Sequence, residues 1–472
     1  MILNSFDVNA HALVDKTTKN NFKRPLDIKT AMKELVDTII RNADALTMDE
    51  EARVLRHIDI AIDKGYIKNI GNLRDYEGTE ELDATGKVAM PGFVDAHTHP
   101  FQILLRGSLS LKDLNVHTIW LKVLIPLEAG MSEEEGTLSA QLACLNMIRK
   151  GITAYADSGG PYPDVLGHIT DLAGIRGRIT YSTMDKSSFE SYYHRAEENR
   201  ALVRKWGTSG RVQGYYSIRE IMTSSDELIE KTFRYAEEDG ARIHLHLAEE
   251  FSEVEHALNR WGERPVEHLY RKGFLSSRLI AAHSAFLSDY EIQMYAETGV
   301  NPVHCPTINM TYMTFPKVPQ MLNMGINVAI GSDGGSYRGL DMFTEINVAM
   351  ASLIGNYGTP YYDFGSLQLG SFLRMATRNG YLAIGENMAG EIRPGYKGDI
   401  ILVDTRKAHL VPLYDPASLP LFATGNDISD VIVDGRVLMK GGQVLSMDEE
   451  AIVKKAREIG PQIMERFGWH IN

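Results

Sequence analysis

His97 and His99 stand at the end of the run Phe93-Val94-Asp95-Ala96-His97-Thr98-His99. The two-residue period of a β-strand places Phe93, Asp95, His97 and His99 on one face, so both imidazoles can reach one ion. Comparable ends occur elsewhere. Ile243-His244-Leu245-His246-Leu247 alternates apolar residues with histidines and is followed by Glu249. Leu279-Ile280-Ala281-Ala282 ends in His283, and Val328-Ala329-Ile330-Gly331-Ser332 ends in Asp333. Taken singly, a polar residue after an apolar strand is only a satisfied strand end. Four such ends bearing His or Asp become a candidate site if the fold gathers them.

Imidazoles from His97, His99 and His246, with the Asp333 carboxylate, suit one Zn2+ or Fe2+ ion with a coordination position left for water, as catalytic sites require. Such an ion lowers the pKa of bound water towards ~7. Asp333 and His283 are the groups placed to take the water's proton and orient it, and Glu249 can protonate a substrate nitrogen that gains charge. His244 sits roughly 6.5 Å deeper along its strand and reads as an interior residue. Glu250 reads as a solvated loop acid. The segment 211–217 contains no lysine, so the obvious source of a carboxylated-lysine bridge between two metals is missing and one metal is expected. There is no His-Glu-x-x-His, Gly-x-Ser-x-Gly or Gly-Lys-Ser/Thr spelling. With Cys144 and Cys305 the only cysteines, a Cys-x-x-Cys zinc deaminase signature is excluded.

These residues need a scaffold that converges strand ends. Candidate strands at 88–98, 152–156, 178–183, 211–217, 242–247, 279–283, 300–304 and 327–331 alternate with helix signals. Ser132 with Glu135, Ser224 with Glu227 and Ser288 with Glu291 are spaced as capping boxes, and Gly151, Gly240 and Gly299 stand where the helices should stop. Strand and helix repeated eight times over about 250 residues predicts an α/β fold of the (β/α)8 TIM-barrel type, with its site at the C-terminal strand ends. A doubly wound sheet should instead show a Gly-rich turn after its first strand, where this chain has His-Thr-His. Short apolar runs at 36–40, 54–62 and 66–70 match others at 399–403, 431–433, 435–439 and 443–445, with Asp434-Gly435 as a hairpin turn. The expected organisation is an extension at 1–34, a small β-sandwich domain from 35–90 plus 395–450, a catalytic barrel at 91–394 and a C-terminal helix at 451–472.

Composition places the chain in the globular range. The chain has 472 residues, 44% hydrophobic and 24% charged, and a formal net charge of −13 without a long basic run. Nucleic acid and anionic membrane surfaces are therefore not expected partners, whereas a small neutral or cationic molecule is. With just two cysteines, no signal-peptide pattern at the start and no apolar window of ~18 residues, the expected compartment is the cytoplasm.

Taken together, the motifs resemble the amidohydrolase superfamily, in the branch that holds S-adenosylhomocysteine, guanine and cytosine deaminases and the triazine hydrolases. The matching pieces are Pro-Gly-Phe-Val-Asp-Ala-His-Thr-His (91–99), Leu-Leu-Arg-Gly (104–107), His246-x-x-Glu249, His283, His-Cys-Pro (304–306), Gly-Ser-Asp-Gly-Gly (331–335) and Leu-Asp-Met-Phe (340–343). The resemblance implies hydrolytic loss of an exocyclic substituent, usually ammonia, from an aromatic nitrogen heterocycle of purine, pterin, pyrimidine or triazine type. It implies that His97, His99, His246 and Asp333 hold the metal, that Glu249 shuttles protons, that His283 assists the nucleophile, and that the chain is a homo-oligomer. Glu128 matches an acid that contacts the ribose in the adenosylhomocysteine deaminases; by itself it reads equally well as an exposed helical acid. Arg219 stands where those enzymes carry a substrate-binding His and guanine deaminases show Arg, so it is either a contact to a ring carbonyl oxygen or an ion-pair residue. The segment Gly335-Ser336-Tyr337-Arg338-Gly339 departs from the Ser-Asn-Asn-like run of most relatives. Competing expectations are loss of halide or alkylamine from a similar ring, cyclic-amide hydrolysis, and a catalytically silent metal-binding barrel.

Overall fold

The computed structural model describes residues 33–107, 119–186, 193–336, 339–361 and 368–467. Both chain ends contribute to one nine-stranded sheet. Its first strand, Glu34–Leu46, buries Ile39 and Ile40 completely and pairs antiparallel with Val54–Asp63, which in turn pairs with Tyr66–Gly71. Tyr76–Asp83 adds a parallel neighbour that the sequence did not advertise, because its alternation is almost wholly polar and only Leu82 is buried. The two ends are joined where Lys87–Pro91 pairs antiparallel with Ile400–Asp404, setting Met90 opposite Ile401. Ile428–Val433, Arg436–Lys440 and Gln443–Val444 complete the sheet. Asp434 and Gly435, with φ of 48° and 73°, make the tight turn their spelling predicts, since a two-residue turn of this hand needs both residues left-handed.

The remaining strands form two five-stranded sheets, parallel throughout. One runs in the order Asp333–Gly334, Phe93–His99, Ile152–Asp157, Arg176–Ile179, Val212–Gly214. The other runs Tyr216–Ile218, Ile243–Leu247, Leu279–His283, Asn301–His304, Ala329–Ile330. At both junctions the chain passes directly between them. The N–H of Tyr215 bonds Ile179 in the first sheet at 2.8 Å, while that of Tyr216 bonds Arg242 beside the second at 3.0 Å. At the other junction Gly331 N donates to His304 O at 2.9 Å, and a Cβ on Gly331 would come within 2.8 Å of His97.

Three strand expectations are corrected. The run 88–98 is two strands, split at Gly92, because Lys87–Pro91 joins the nine-stranded sheet and Phe93–His99 joins a parallel one. Gly92 donates to Asp399 O at 3.0 Å and lies so close to Thr153 that a Cβ would clash at 2.1 Å, so the chain can change sheets only with glycine there. The third parallel strand is Arg176–Ile179 rather than 178–183. Its charged start is buried by pairing, Arg176 with Asp399 at 2.6 Å and Arg178 with Glu386 at 2.5 Å. The segment 211–217 is divided at Tyr215, with half in each sheet.

Capping boxes form at Ser132 and Ser288, opening the helices Glu133–Arg149 and Asp289–Thr298. The helix Asp226–Glu238 is capped by Ser225 instead of Ser224, because Asp185 accepts both Ser225 N and Ser225 Oγ and fixes that residue at the helix start. The C-terminal helix Glu449–Arg466 lies against Glu133–Arg149, with ion pairs from Arg466 to Glu135 at 3.0 Å and Arg149 to Glu449 at 2.7 Å. Among the described residues no helix is long and apolar enough to cross a membrane.

Candidate active site

Parallel register sets His283 opposite Leu247, next to His246, and Asp333 opposite Thr98, between His97 and His99. Ring nitrogens of His97, His99 and His246 lie within 4.8 Å of one another, as do donor atoms of Glu249, His283 and Asp333. Asp333 Oδ1 is 3.6 Å from His97 Nε2 and 3.4 Å from His99 Nε2, and His246 Nε2 is 3.3 Å from His99 Nε2.

Hydrogen bonds fix which nitrogens face inward. His246 Nδ1 can only donate to the carbonyl oxygen of Arg219, 2.7 Å away, which leaves a lone pair on Nε2 towards the cluster. His244 Nδ1 likewise donates to Asp157 O at 3.0 Å, so its Nε2 accepts from His97 Nδ1 at 2.9 Å and His97 Nε2 is left with a lone pair. Among the described residues His97 Nε2 is buried without a hydrogen-bond partner. Burial pushes His97 and His283 down to about 3, and His99 and His246 well below the usual histidine range. All four are therefore neutral, the form that binds a cation. Neutral imidazoles beside a carboxylate, with His97 and His246 oriented by hydrogen bonds and His97 Nε2 left without a partner among the described residues, are the donor set a borderline divalent ion takes, so the residues fit one.

The backbone is strained where the site is built. Ala248, His283, Ser284 and Asp333 have φ of 53°, 66°, 50° and 62°, in the left-handed region that non-glycine residues seldom occupy. Compensating bonds hold them. Glu253 Oε2 accepts Glu249 N at 2.9 Å, and Asp95 accepts Ser332 N at 2.8 Å and Ser332 Oγ at 2.5 Å immediately before Asp333. Glu249 Oε1 consequently faces His283 Nε2 at 3.5 Å. Burial, with the Asp333 charge adding to it, pushes the Glu249 carboxyl well above the usual range.

A pocket opens over His99, His246, Glu249 and Asp333, walled by Gln102, Trp120, Leu124, Arg219, Glu220 and Tyr312. Arg219 is buried, with its guanidinium 5.5 Å from the Trp120 ring centroid and 4.0 Å from Glu128 Oε2. Glu128, on the short helix Ile125–Gly130, is only 1% exposed and accepts from Gln102 Nε2 at 2.9 Å, so the exposed-acid reading is wrong. Glu250 is half-buried rather than a freely solvated loop acid and accepts from Ser252. A larger cavity opens at the other end of the same strands, beside Ile243 and Leu279, and none of these site residues lines it.

The structure thus brings His97, His99, His246, His283, Glu249, Asp333 and Arg219 together, with Glu128 beside them behind Gln102. It adds three that sequence reasoning passed over, and it gives His244, read from the sequence as an interior residue, a task as the support of His97. Glu220 follows Arg219 directly. Trp120 and Tyr312 wall the pocket from segments without periodic or motif signal. Tyr337 and Arg338, part of the remodelled segment, lie outside the described residues.

Residues 88–438 match the amidohydrolase family, and the chain belongs to it. It is a metal-dependent hydrolase of carbon–nitrogen bonds other than peptide bonds, an aminohydrolase that releases ammonia from an amino-substituted nitrogen heterocycle. It is 34% identical to a 5'-deoxyadenosine deaminase of Methanosarcina mazei over 92% of this chain and 99% of that protein. It is 31% identical to a 5-methylthioadenosine/S-adenosylhomocysteine deaminase of Acetivibrio thermocellus over 91% of this chain and all of the relative, 100%. A crystal structure of an adenosine deaminase from Xanthomonas campestris with bound zinc superposes with a TM-score of 0.85 at 26% identity, covering 92% of this chain and 100% of that one. The zinc complex of atrazine chlorohydrolase from Arthrobacter aurescens, at 24% identity and TM-score 0.82 over 90% of this chain and 100% of that one, shares the fold.

Proposed function

We propose that this enzyme deaminates an adenosine-type nucleoside, using one zinc ion held by His97, His99, His246 and Asp333. The convergence of the His97, His99 and His246 imidazoles beside the Glu249, His283 and Asp333 cluster is the observation that carries this reading. Zinc would supply Lewis acidity, favouring deprotonation of water at neutral pH. Asp333 and His283, with Oδ2 and Nε2 3.9 Å apart, take the proton of the attacking water. Glu249 gives its proton to the ring nitrogen next to the amino-bearing carbon as water adds; the proton held by Asp333 and His283 passes to the amine, the carbon–nitrogen bond breaks and ammonia leaves, and the new hydroxyl becomes the carbonyl as its proton returns to Glu249. Glu128, buried behind Gln102 of the pocket wall, binds the sugar.

The two parallel sheets, linked at Tyr215 and at 331–332, are in this reading the arcs of one (β/α)8 barrel with its site at the C-terminal strand ends. The catalytic unit is then 91–394, and the nine-stranded sheet belongs to a smaller unit made from 35–90 and 395–450. Two buried, unpaired cysteines, Cys144 and Cys305, agree with a reducing cytoplasm.

A second reading, an amino-oxo ring of guanine or pterin type, is favoured by the Arg219 side chain in the pocket wall, because a guanidinium is a strong donor to a ring carbonyl. The deciding experiment is ammonia release by zinc-loaded protein from 5'-deoxyadenosine, methylthioadenosine, adenosine, guanine, pterin, cytosine and an aminotriazine. Release from the adenosine group supports the leading reading and release from guanine or pterin alone the second. Silence across the panel rejects both.

A further inference from the structure

We propose that Glu220 is a specificity-determining residue whose carboxyl oxygen accepts a hydrogen bond from a donor on the substrate other than the departing amine. The inference rests on the deaminase reading and concerns a residue to which that reading gives no task.

Glu220 follows the strand Tyr216–Ile218 and has an extended backbone, with φ −164° and ψ 165°. Its side chain lines the same pocket as Arg219, Trp120 and Glu249. Oε1 is sealed from solvent, yet among the described residues it has no hydrogen-bond partner. Leaving an enclosed acceptor unmet is costly, and native structures seldom do so without a reason such as a missing ligand. Of the neighbouring acids, Glu249 faces His283 and Glu128 accepts from Gln102, whereas Glu253 holds Glu249 N with Oε2 and, although its Oε1 is also unmet among the described residues, does not line this pocket. Gln102 Nε2, a donor in the same wall, gives one of its two hydrogens to Glu128.

The pocket also holds the opposite case. Trp120 Nε1 is buried without a partner among the described residues. Among the described residues, and apart from the imidazole cluster, the wall therefore presents an unmet acceptor and an unmet donor, and a complementary substrate brings a donor to Glu220 and an acceptor to Trp120. In an adenine-type ring every nitrogen other than the departing amine is an acceptor or carries the sugar, so the donor must be a sugar hydroxyl. In an amino-oxo ring it is the N–H beside the carbonyl. Both are neutral N–H or O–H donors, the shared chemistry Glu220 selects.

The test uses full-length zinc-loaded protein, Glu220→Ala and Glu220→Gln, with adenosine, its 2'-deoxy and 3'-deoxy analogues, and guanine. Metal content, KM and kcat are read for each, with the Kd of inosine by calorimetry. Glu220→Ala is expected to raise KM about tenfold to a hundredfold with kcat and zinc unchanged, as for loss of a hydrogen bond to a charged group. Glu220→Gln, which keeps an acceptor oxygen, should recover much of that loss. A penalty that disappears for one deoxy analogue assigns the donor to that hydroxyl; a penalty confined to guanine assigns it to the ring N–H. The proposal is overturned if Glu220→Ala changes KM less than twofold on every substrate turned over, if kcat falls instead, or if zinc is lost. If the wild-type enzyme turns over none of them, the deaminase reading fails separately. The inosine Kd then decides for Glu220, and an unchanged Kd or no binding rejects the proposal.

Discussion

The Nδ1 atom of His246 lies 2.7 Å from the carbonyl oxygen of Arg219, so one residue orients a metal-site imidazole through its backbone and lines the pocket with its side chain. The two roles are separable. Arg219→Ala keeps the carbonyl and removes the guanidinium, so it should retain zinc while raising KM about tenfold or more. Elemental analysis beside steady-state kinetics checks this; loss of metal in step with activity would show that the side chain, too, is needed to build the site.

His244 holds His97 in turn, linking it to Asp157 O through two hydrogen bonds of 2.9 and 3.0 Å. His244→Phe keeps the volume roughly and removes the acceptor for His97 Nδ1–H. Zinc affinity should fall about tenfold to a hundredfold, the usual effect of deleting a group that orients a ligand. Competition with a fluorescent chelator measures it, and an unchanged affinity would mean that packing alone orients His97.

These two supports mark how far the sequence could be read. The grouping of His97, His99, His246, His283 and Asp333 was legible because each lies at, near or just beyond the end of an apolar strand, and strand ends are what a parallel α/β fold gathers. His244 was legible as a residue of the same face, but only the carbonyl of Asp157, 87 positions away in sequence, turns it into a support. Gly92 was hidden for a similar reason: the apolar run around it is continuous, and the break comes from Thr153 and Asp399, which press on it from distant segments. Trp120 and Tyr312 reach the pocket from stretches with no periodicity, so nothing local announced them.

Glu249 separates chemistry from metal binding. Its Oε1 is 3.5 Å from His283 Nε2, while the triad of imidazole donors does not include it. Glu249→Gln should keep zinc within error and lower kcat by about 10²- to 10⁴-fold, the range for loss of a general acid or base. Chelation of the wild-type enzyme should abolish turnover altogether, and added zinc should restore it. If the Gln variant loses zinc as well, Glu249 belongs to the donor set and its assignment as proton carrier is wrong.

The last prediction concerns stability and pH. Arg176 is buried in the strand Arg176–Ile179, with Nε and Nη2 on the two oxygens of Asp399 at 2.6 and 3.0 Å, and Asp434 N–H adds a third bond to that carboxylate at 2.9 Å. Burial alone would raise the Asp399 carboxyl, but the charge and hydrogen bonds of Arg176 outweigh it and hold the group below the usual range. A depressed carboxylate stabilises the fold above its unfolded pKa of about 3.9 and loses that contribution as pH falls through the folded value. Asp399→Asn leaves Arg176 buried without its main counter-charge and should cost about 3–5 kcal/mol at pH 7. In urea titrations the gap from wild type should stay full down to about pH 5 and narrow below about pH 4 as the wild-type carboxylate takes up its proton. A gap that is constant through the acid range would show that the pair joining the two sheets does not depend on an ionised Asp399.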